Sequence, residues 1–294
     1  MQAKLFNVSD ADNSQRIDNF LFKKQLCNSR KIARTLIERG AVFLNRKMVT
    51  FPSKRVFSGD SIMVLPFIFP ATSPDDKKIK ILHSDDSIIV IDKPAGMLSV
   101  RTGKESGADA LKGVIKDLSA GGTSVSSVYP VHRLDRETSG VMVFARTREA
   151  QKNLEMQFKK RMVKKHYFAL MQGIIENEKG KIAGVMKTTG EYAESEFRVV
   201  DRLTNSTIVD VFPKTGRTNQ IRIQFSEMGH PLVGEHRYFG NAKNIRVVWH
   251  RLALHSLRVT FFHPSASKEF SFSAPLPDGF KQLIDLLKKS DRPL

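Results

Sequence analysis

The chain has 294 residues, with 48 Lys and Arg against 30 Asp and Glu, a net charge of +18. With 40% hydrophobic and 27% charged residues it has the composition of one large or two smaller globular domains, which excludes a chain disordered throughout. A single cysteine, Cys27, excludes an internal disulfide framework and a multi-cysteine zinc site. The most apolar run, Ile62 to Pro70, is far shorter than the roughly 18 residues a membrane helix needs, and the first residues show no apolar signal-peptide core. A soluble, cytoplasmic protein is therefore expected. The excess of cations points to a polyanionic partner, because a basic surface gains affinity by releasing counterions from phosphates. Composition alone leaves nucleic acid and an anionic membrane surface equally open.

The charge is concentrated early. Residues 1–74 hold 12 Lys and Arg against 5 Asp and Glu, net +7. Ile17, Phe20 and Leu21 share a helical face. A second helix follows Asn28-Ser29, either of which can cap it; its apolar stripe is Ile32, Ala33, Leu36 and Ile37, and Gly40 is a natural stop. Arg30, Lys31 and Arg34 lie roughly opposite that stripe. Ala41 to Leu44 reads as a strand, Asn45-Arg46-Lys47 as a turn, and Ser61 to Leu65 as a further strand after Gly59-Asp60. A cationic helix face is as readily a solvated surface as a binding site. The segments "RIDNFL", "SRKIARTLIERGAVFLNRKMV" and "FSGDSIMV", in this order, resemble the small αL RNA-binding module of a ribosomal small-subunit protein. The resemblance implies a module over 14–70 whose second helix and following turn, with Arg30, Lys31, Arg34, Arg46 and Lys47, face RNA.

Two prolines and several turn formers between Pro70 and Asp76 suggest a linker over 71–79. Beyond it, strands are expected over 87–92, 127–131 and 140–145. A helix capped by Thr147 then stacks Ala150, Leu154 and Phe158. Further strands follow over 166–173, 193–201 and 206–212, then a helix after Thr215-Gly216 and a closing amphipathic helix with Phe280, Leu283, Ile284 and Leu287. Runs of strands with few alternating helices predict an α+β domain over 80–290 with a mixed, largely antiparallel sheet.

The densest chemical signal is "HRLDRETSG", residues 132–140, between two strand-like runs. Asp135 has arginines at 133 and 136, and nearby positive charge keeps a carboxylate ionised. Such a group is a nucleophile, a general base or half of a structural ion pair, and chemistry alone favours the structural pair. His250 with His255 and His230 with His236 lack a compact metal-ligand spacing with carboxylates. The glycines at 103 and 107 with Lys104 do not make a phosphate loop. No metal and no cofactor is expected. The basic run Lys159, Lys160, Arg161, Lys164 and Lys165 is either a solvated face or an RNA contact.

The segment "HRLDRETSG" resembles the active-site motif of the pseudouridine synthases, in the branch named after large-ribosomal-subunit synthase A. "IIVIDKPAGMLSV" (88–100), "KHYFALMQG" (165–173), "KTGRTNQIRIQFSEMGHPLVGEHRYFG" (214–240) and "LALHSLRVTFFHP" (252–264) resemble further motifs of that branch in the right order. The resemblance implies Asp135 as nucleophile. Arg222 pairs with it and keeps it ionised, and Tyr167 packs against the uracil and helps remove the C5 proton. Arg133 takes part in opening the RNA, Leu254 floors an apolar pocket, and His132 and Thr138 belong to the substrate site. Asn219 and Gln224 stand where the branch often has histidines. The implied reaction turns uridine into pseudouridine in structured RNA, 23S ribosomal RNA before transfer RNA, with covalent attack at C1′ or C6 and extrusion of the base. A non-catalytic RNA-binding or ribosome-assembly protein and a hydrolase releasing uracil are the alternatives. A monomer with RNA as its partner and no membrane attachment is expected.

Overall fold

The computed structural model describes residues 4–38, 40–45, 47–64, 67–68, 78–100, 109–120, 128–203, 205–238, 247–249, 251–266 and 268–290. In the first part, strand β1 (Lys4–Asn7) precedes two helices, α1 (Ile17–Lys23) and α2 (Arg30–Glu38), and then β2 (Val42–Leu44), β3 (Lys47–Met48) and β4 (Ser61–Val64). Ile17, Phe20 and Leu21 of α1 and Ala33, Leu36 and Ile37 of α2 are buried together against Val42, Ile62 and Val64. Of the two candidate caps, Ser29 serves: its Oγ accepts from the Ile32 amide at 3.2 Å. Gly40, at φ +73°, ends α2, with its amide donating to Ile37 O and that of Ala41 to Leu36 O, the bond pair that favours glycine at this position. The sheet runs in the order β1-β4-β2-β3, so it starts ten residues before the boundary expected at 14. Strand β1 is four residues long and largely exposed, too short to show a period in sequence.

The larger sheet is built from β6 (Lys80–Ser84), β7 (Ile88–Lys93), β8 (Tyr129–Pro130), β9 (Ser139–Ala145), β10 (Lys164–Gln172), β11 (Lys179–Val185), β12 (Tyr192–Leu203), β13 (Ser206–Pro213), β15 (Leu254–Phe262) and β16 (Glu269–Ser273). Short strands β5 (Phe67–Ile68) and β14 (Val248–Trp249) pair with each other in parallel. The larger sheet runs β11-β12-β13-β10-β15-β9-β7-β6, with β16 on β15 and β8 on β9. Every pairing is antiparallel except β15 with β9. The fold is thus α+β with mixed, predominantly antiparallel sheets. Helix α3 (Ala110–Ala120) packs on one side of β7 and β9, and α4 (Arg148–Lys159) on the other. Thr147 caps α4, its Oγ1 accepting from Ala150 N at 3.1 Å. Helix α6 (Asp278–Ser290) seals a cluster around Trp249 with Phe280 and Leu283.

Helix α5 (Gln220–Glu227) begins later than expected after Thr215-Gly216, because Asn219 adopts a left-handed conformation at φ +55° just ahead of it. Where β9 meets β15 in parallel, Gly140 sits at φ +110° and a Cβ there would collide with the Ser256 carbonyl. Only glycine permits that close approach, and it brings the loop ahead of β9 beside β15 and β10.

Candidate functional site

The loop 131–138 is held from both sides. Ser99 Oγ donates to Leu134 O at 2.7 Å and accepts from Leu134 N at 2.9 Å. Gly96 N donates to Arg136 O at 2.7 Å. Lys93 is fully buried, and its Nζ donates to the carbonyls of Met97 at 2.8 Å, Pro94 at 3.0 Å and Arg136 at 3.3 Å. The residues on each side of Asp135 are therefore fixed through their backbone by the turn 93–99. Burial pulls the Lys93 ammonium down to about 7. His132 Nε2 accepts from Val143 N at 3.0 Å and its ring stacks on Phe158 at 4.8 Å. Burial drives it down to about 3, so it is a neutral imidazole that anchors the loop to β9.

Asp135 opens into a cavity of about 600 Å³ whose wall includes Arg133, Leu134, Thr138, Tyr167, Ile221, Arg222 and Leu254. Tyr167 comes from β10, Leu254 is the first residue of β15, and Arg222 projects from α5. Arg133 is exposed at the cavity and Leu254 is buried. The structure thus brings Asp135, Tyr167, Arg222, Arg133, His132, Leu254 and Thr138 together from positions up to 122 residues apart in sequence. Thr138 Oγ1 is buried and has no hydrogen-bond partner among the described residues.

Arg222 forms an ion pair with Asp135, its Nη1 lying 3.6 Å from Oδ2, longer than an ordinary hydrogen bond. Its main partner is Glu235: Nε donates to Oε2 at 2.7 Å and Nη2 to Oε1 at 2.8 Å. Glu235 also accepts from the amides of His236, Arg237 and Tyr238. Asn219 Oδ1 accepts one Nη1 proton at 2.9 Å, and the guanidinium lies over the Tyr238 ring at 5.0 Å. One expectation needs correction: Asp135 is not held in a lowered range. Burial raises its carboxyl, with Glu235 adding to the rise, and this outweighs the opposing pull of Arg222 and Arg133. Burial and the charge of Asp135 also raise the Tyr167 phenol, against a hydrogen bond from Ser256, so Tyr167 is neutral at rest.

Sequence reasoning assigned no role to Glu235, Lys93 and Ser99, although all three stand in quoted motifs. The available signal was that an apolar strand, Ile88 to Ile91, continues through Asp92 into a lysine, which needs acceptors wherever it is buried.

In the first part, Arg30, Lys31, Arg34 and Lys47 are exposed, and Arg46 lies outside the described residues, as do the linker through residue 77, the glycines at 103 and 107 with Lys104, and His250. Arg34 is half committed, donating to the buried carboxylate of Asp18 at 3.2 Å, which Arg16 also grips at 3.0 Å. Among the described residues no cluster of three His, Cys, Asp or Glu could hold a metal ion, and no helix is long and apolar enough to cross a membrane.

The family described as RNA pseudouridylate synthase matches residues 87–227, and the S4 domain matches residues 15–62. Residues 87–227 belong to the RNA pseudouridylate synthase family. The synthase is similar to the ribosomal large subunit pseudouridine synthase C of Vibrio vulnificus, 29% identical over 98% of each chain, and to that of Escherichia coli K12, 29% identical over 98% of this chain and 97% of the other. In fold it is similar to human RNA pseudouridylate synthase domain containing 4, with a TM-score of 0.59 at 23% identity over 71% of this chain and 92% of that one. Human RNA pseudouridylate synthase domain containing 1 gives 0.54 at 21% over 77% and 100%. The matched interval contains Asp135, Tyr167 and Arg222 but ends before Glu235 and Leu254.

Proposed function

We propose that the synthase isomerises uridine in large-subunit (23S) ribosomal RNA by covalent catalysis through Asp135, with the target base flipped out of the RNA. The observation that carries this reading is the placement of one backbone-clamped carboxylate in a cavity with an aromatic face, Tyr167, and apolar walls, Leu134, Ile221 and Leu254. At about 600 Å³ the cavity lies within the roughly 300–1,000 Å³ usual for small-molecule sites, so it accepts a nucleotide only once that nucleotide has left its stack. Extrusion costs a few kcal/mol. Stacking on Tyr167 and contact of Arg133 with the opened RNA offset it.

In the reaction the carboxylate of Asp135 forms a bond to C1′ of the ribose or C6 of the base, the N1–C1′ bond breaks, the ring turns, C5 bonds to C1′, and the bond to Asp135 breaks to free the carboxylate. The C5 proton is then lost and N1 gains one, so no atom is added and no electron pair leaves the system. Arg222, fixed by Glu235, offers one N–H toward Asp135 and stabilises its charge. Tyr167 packs against the ring as a neutral phenol. It relays the C5 proton by taking it up as it gives its own to Asp135, whose raised carboxyl suits it to accept. Thr138 Oγ1, unpartnered in the cavity wall, is available to a polar edge of the base. Arg30, Lys31, Arg34, Arg46 and Lys47 of the S4 domain supply sequence-independent RNA affinity.

Incubation with ribosomal RNA and transfer RNA carrying tritium at uridine C5 tests this. Tritium should pass to water from the ribosomal RNA with no free uracil formed. Release of uracil would make the protein a hydrolase, and absence of release from both pools would make it a binding protein only.

A further inference from the structure

Helix α4 ends with the Met162 amide donating to Gln157 O at 2.9 Å and the Arg161 amide to Phe158 O at 3.1 Å. These bonds require a left-handed residue between helix and strand, a position that favours glycine. Helices α2 and α5 close with the same bond pair on Gly40 and Gly229. Helix α4 instead has Arg161 there, at φ +59°. Helix α1 places Gln25 at the same point, at φ +56°, so backbone strain alone names no ligand. What distinguishes Arg161 is what its side chain faces.

Arg161 lines the cavity that holds Asp135, together with Lys159 and Lys165. It is exposed, and among the described residues it makes no salt bridge and no side-chain hydrogen bond. Glu194, a carboxylate that feels its charge, is occupied by Lys181 at 3.0 Å. Lys165 Nζ donates to the Thr215 carbonyl at 2.6 Å, a dipole and not an anion. After burial, the charge of Arg161 is what pulls the Lys165 ammonium down, to about 8. Two cations therefore converge on one stretch of cavity wall and repel each other, one of them held in a costly backbone conformation. Strained backbone of this kind gathers at ligand clamps, and an anion between the two cations relieves their repulsion.

We propose that Arg161 and Lys165 form a phosphate subsite for the phosphodiester next to the uridine that enters the cavity. This rests on the reading that the cavity takes a flipped nucleotide. The rigid helix terminus aims a guanidinium able to donate two parallel hydrogen bonds to phosphate oxygens, and Lys165 adds a point charge from below.

The test compares Arg161→Gly, Arg161→Lys and Asp135→Asn in the full-length protein, by tritium release from C5-labelled ribosomal RNA across a salt series and by thermal unfolding. Arg161→Gly relieves the left-handed strain, so its melting temperature rises, while its KM for RNA rises roughly tenfold or more, as expected for loss of a charged hydrogen bond. The slope of log kcat/KM against log salt becomes shallower by about 0.9, one phosphate contact. Arg161→Lys retains the wild-type slope. A glycine variant with wild-type KM and slope, while Asp135→Asn is inactive, would overturn the subsite and leave the function standing. A glycine variant that melts lower overturns the strain argument. Full activity in Asp135→Asn overturns the underlying reading itself.

Discussion

Replacing Glu235 by glutamine removes one charge and little volume. In the native site Glu235 is buried and holds the Arg222 guanidinium through two bonds at 2.7 and 2.8 Å, while its Oε1 accepts three backbone amides. Glutamine keeps the amide contacts and loses the ion pair with position 235, leaving Arg222 buried with Asn219 and the longer ion pair to Asp135 at 3.6 Å. Breaking one side of a buried pair costs about 3–5 kcal/mol, and the retained amide bonds place this case near about 3 kcal/mol. At roughly 2–4 °C per kcal/mol for a domain of this size, the melting temperature should fall by about 6–12 °C. The effect on chemistry has the opposite sign. The charge of Glu235 raises the Asp135 carboxyl, so its removal lets Asp135 ionise at lower pH. The acid limb of kcat/KM, which reports the free enzyme, should move to lower pH. Calorimetry and pH-dependent tritium release read the two effects separately. A lower melting temperature with an unmoved acid limb would refute the electrostatic link between Glu235 and Asp135.

Lys93 titrates at about 7 when folded against 10.5 as its ordinary value. Between those values the unfolded chain binds the extra proton, so stability should rise with pH from about 7 to about 10.5. Lys93→Met should flatten that rise in urea titrations and reduce kcat by loosening the Asp135 loop; an unchanged pH slope refutes the assignment. Thr138→Val removes a buried hydroxyl without a partner, which should raise the melting temperature while lowering kcat/KM roughly tenfold if that hydroxyl meets the base. Equal activity would exclude the contact. Arg30→Ala with Lys31→Ala should make the salt dependence of RNA binding shallower by about 1.8, two phosphates, and an unaltered slope would take α2 out of the interface.

The S4 domain was legible because α1 and α2 each bury one stripe, and Ser29 and Gly40 mark the ends of α2. Strand β11 was not. Its residues are mostly exposed, and its pairing with β12 supplies an order that Lys179-Gly180-Lys181 does not announce. At the site, Asp135 stood out through the arginines around it, and the segments that close on it were each readable. The Arg222–Glu235 pair was hidden because it joins a helix to a turn 13 residues later. The direction of the Asp135 shift was hidden for a different reason. Neighbouring charges can be counted along a chain, but the water a carboxylate loses on burial depends on β10, β15 and α5 meeting over it.

The central claim is that the Asp135 carboxylate carries the reaction. Asp135→Asn preserves shape and removes the charge, and because burial already disfavours that charge the variant should melt no lower than wild type. Single-turnover tritium release from C5-labelled ribosomal RNA by this variant measures the claim directly. The account predicts a folded, RNA-binding protein that releases no tritium and forms no pseudouridine; release at the wild-type rate would contradict it.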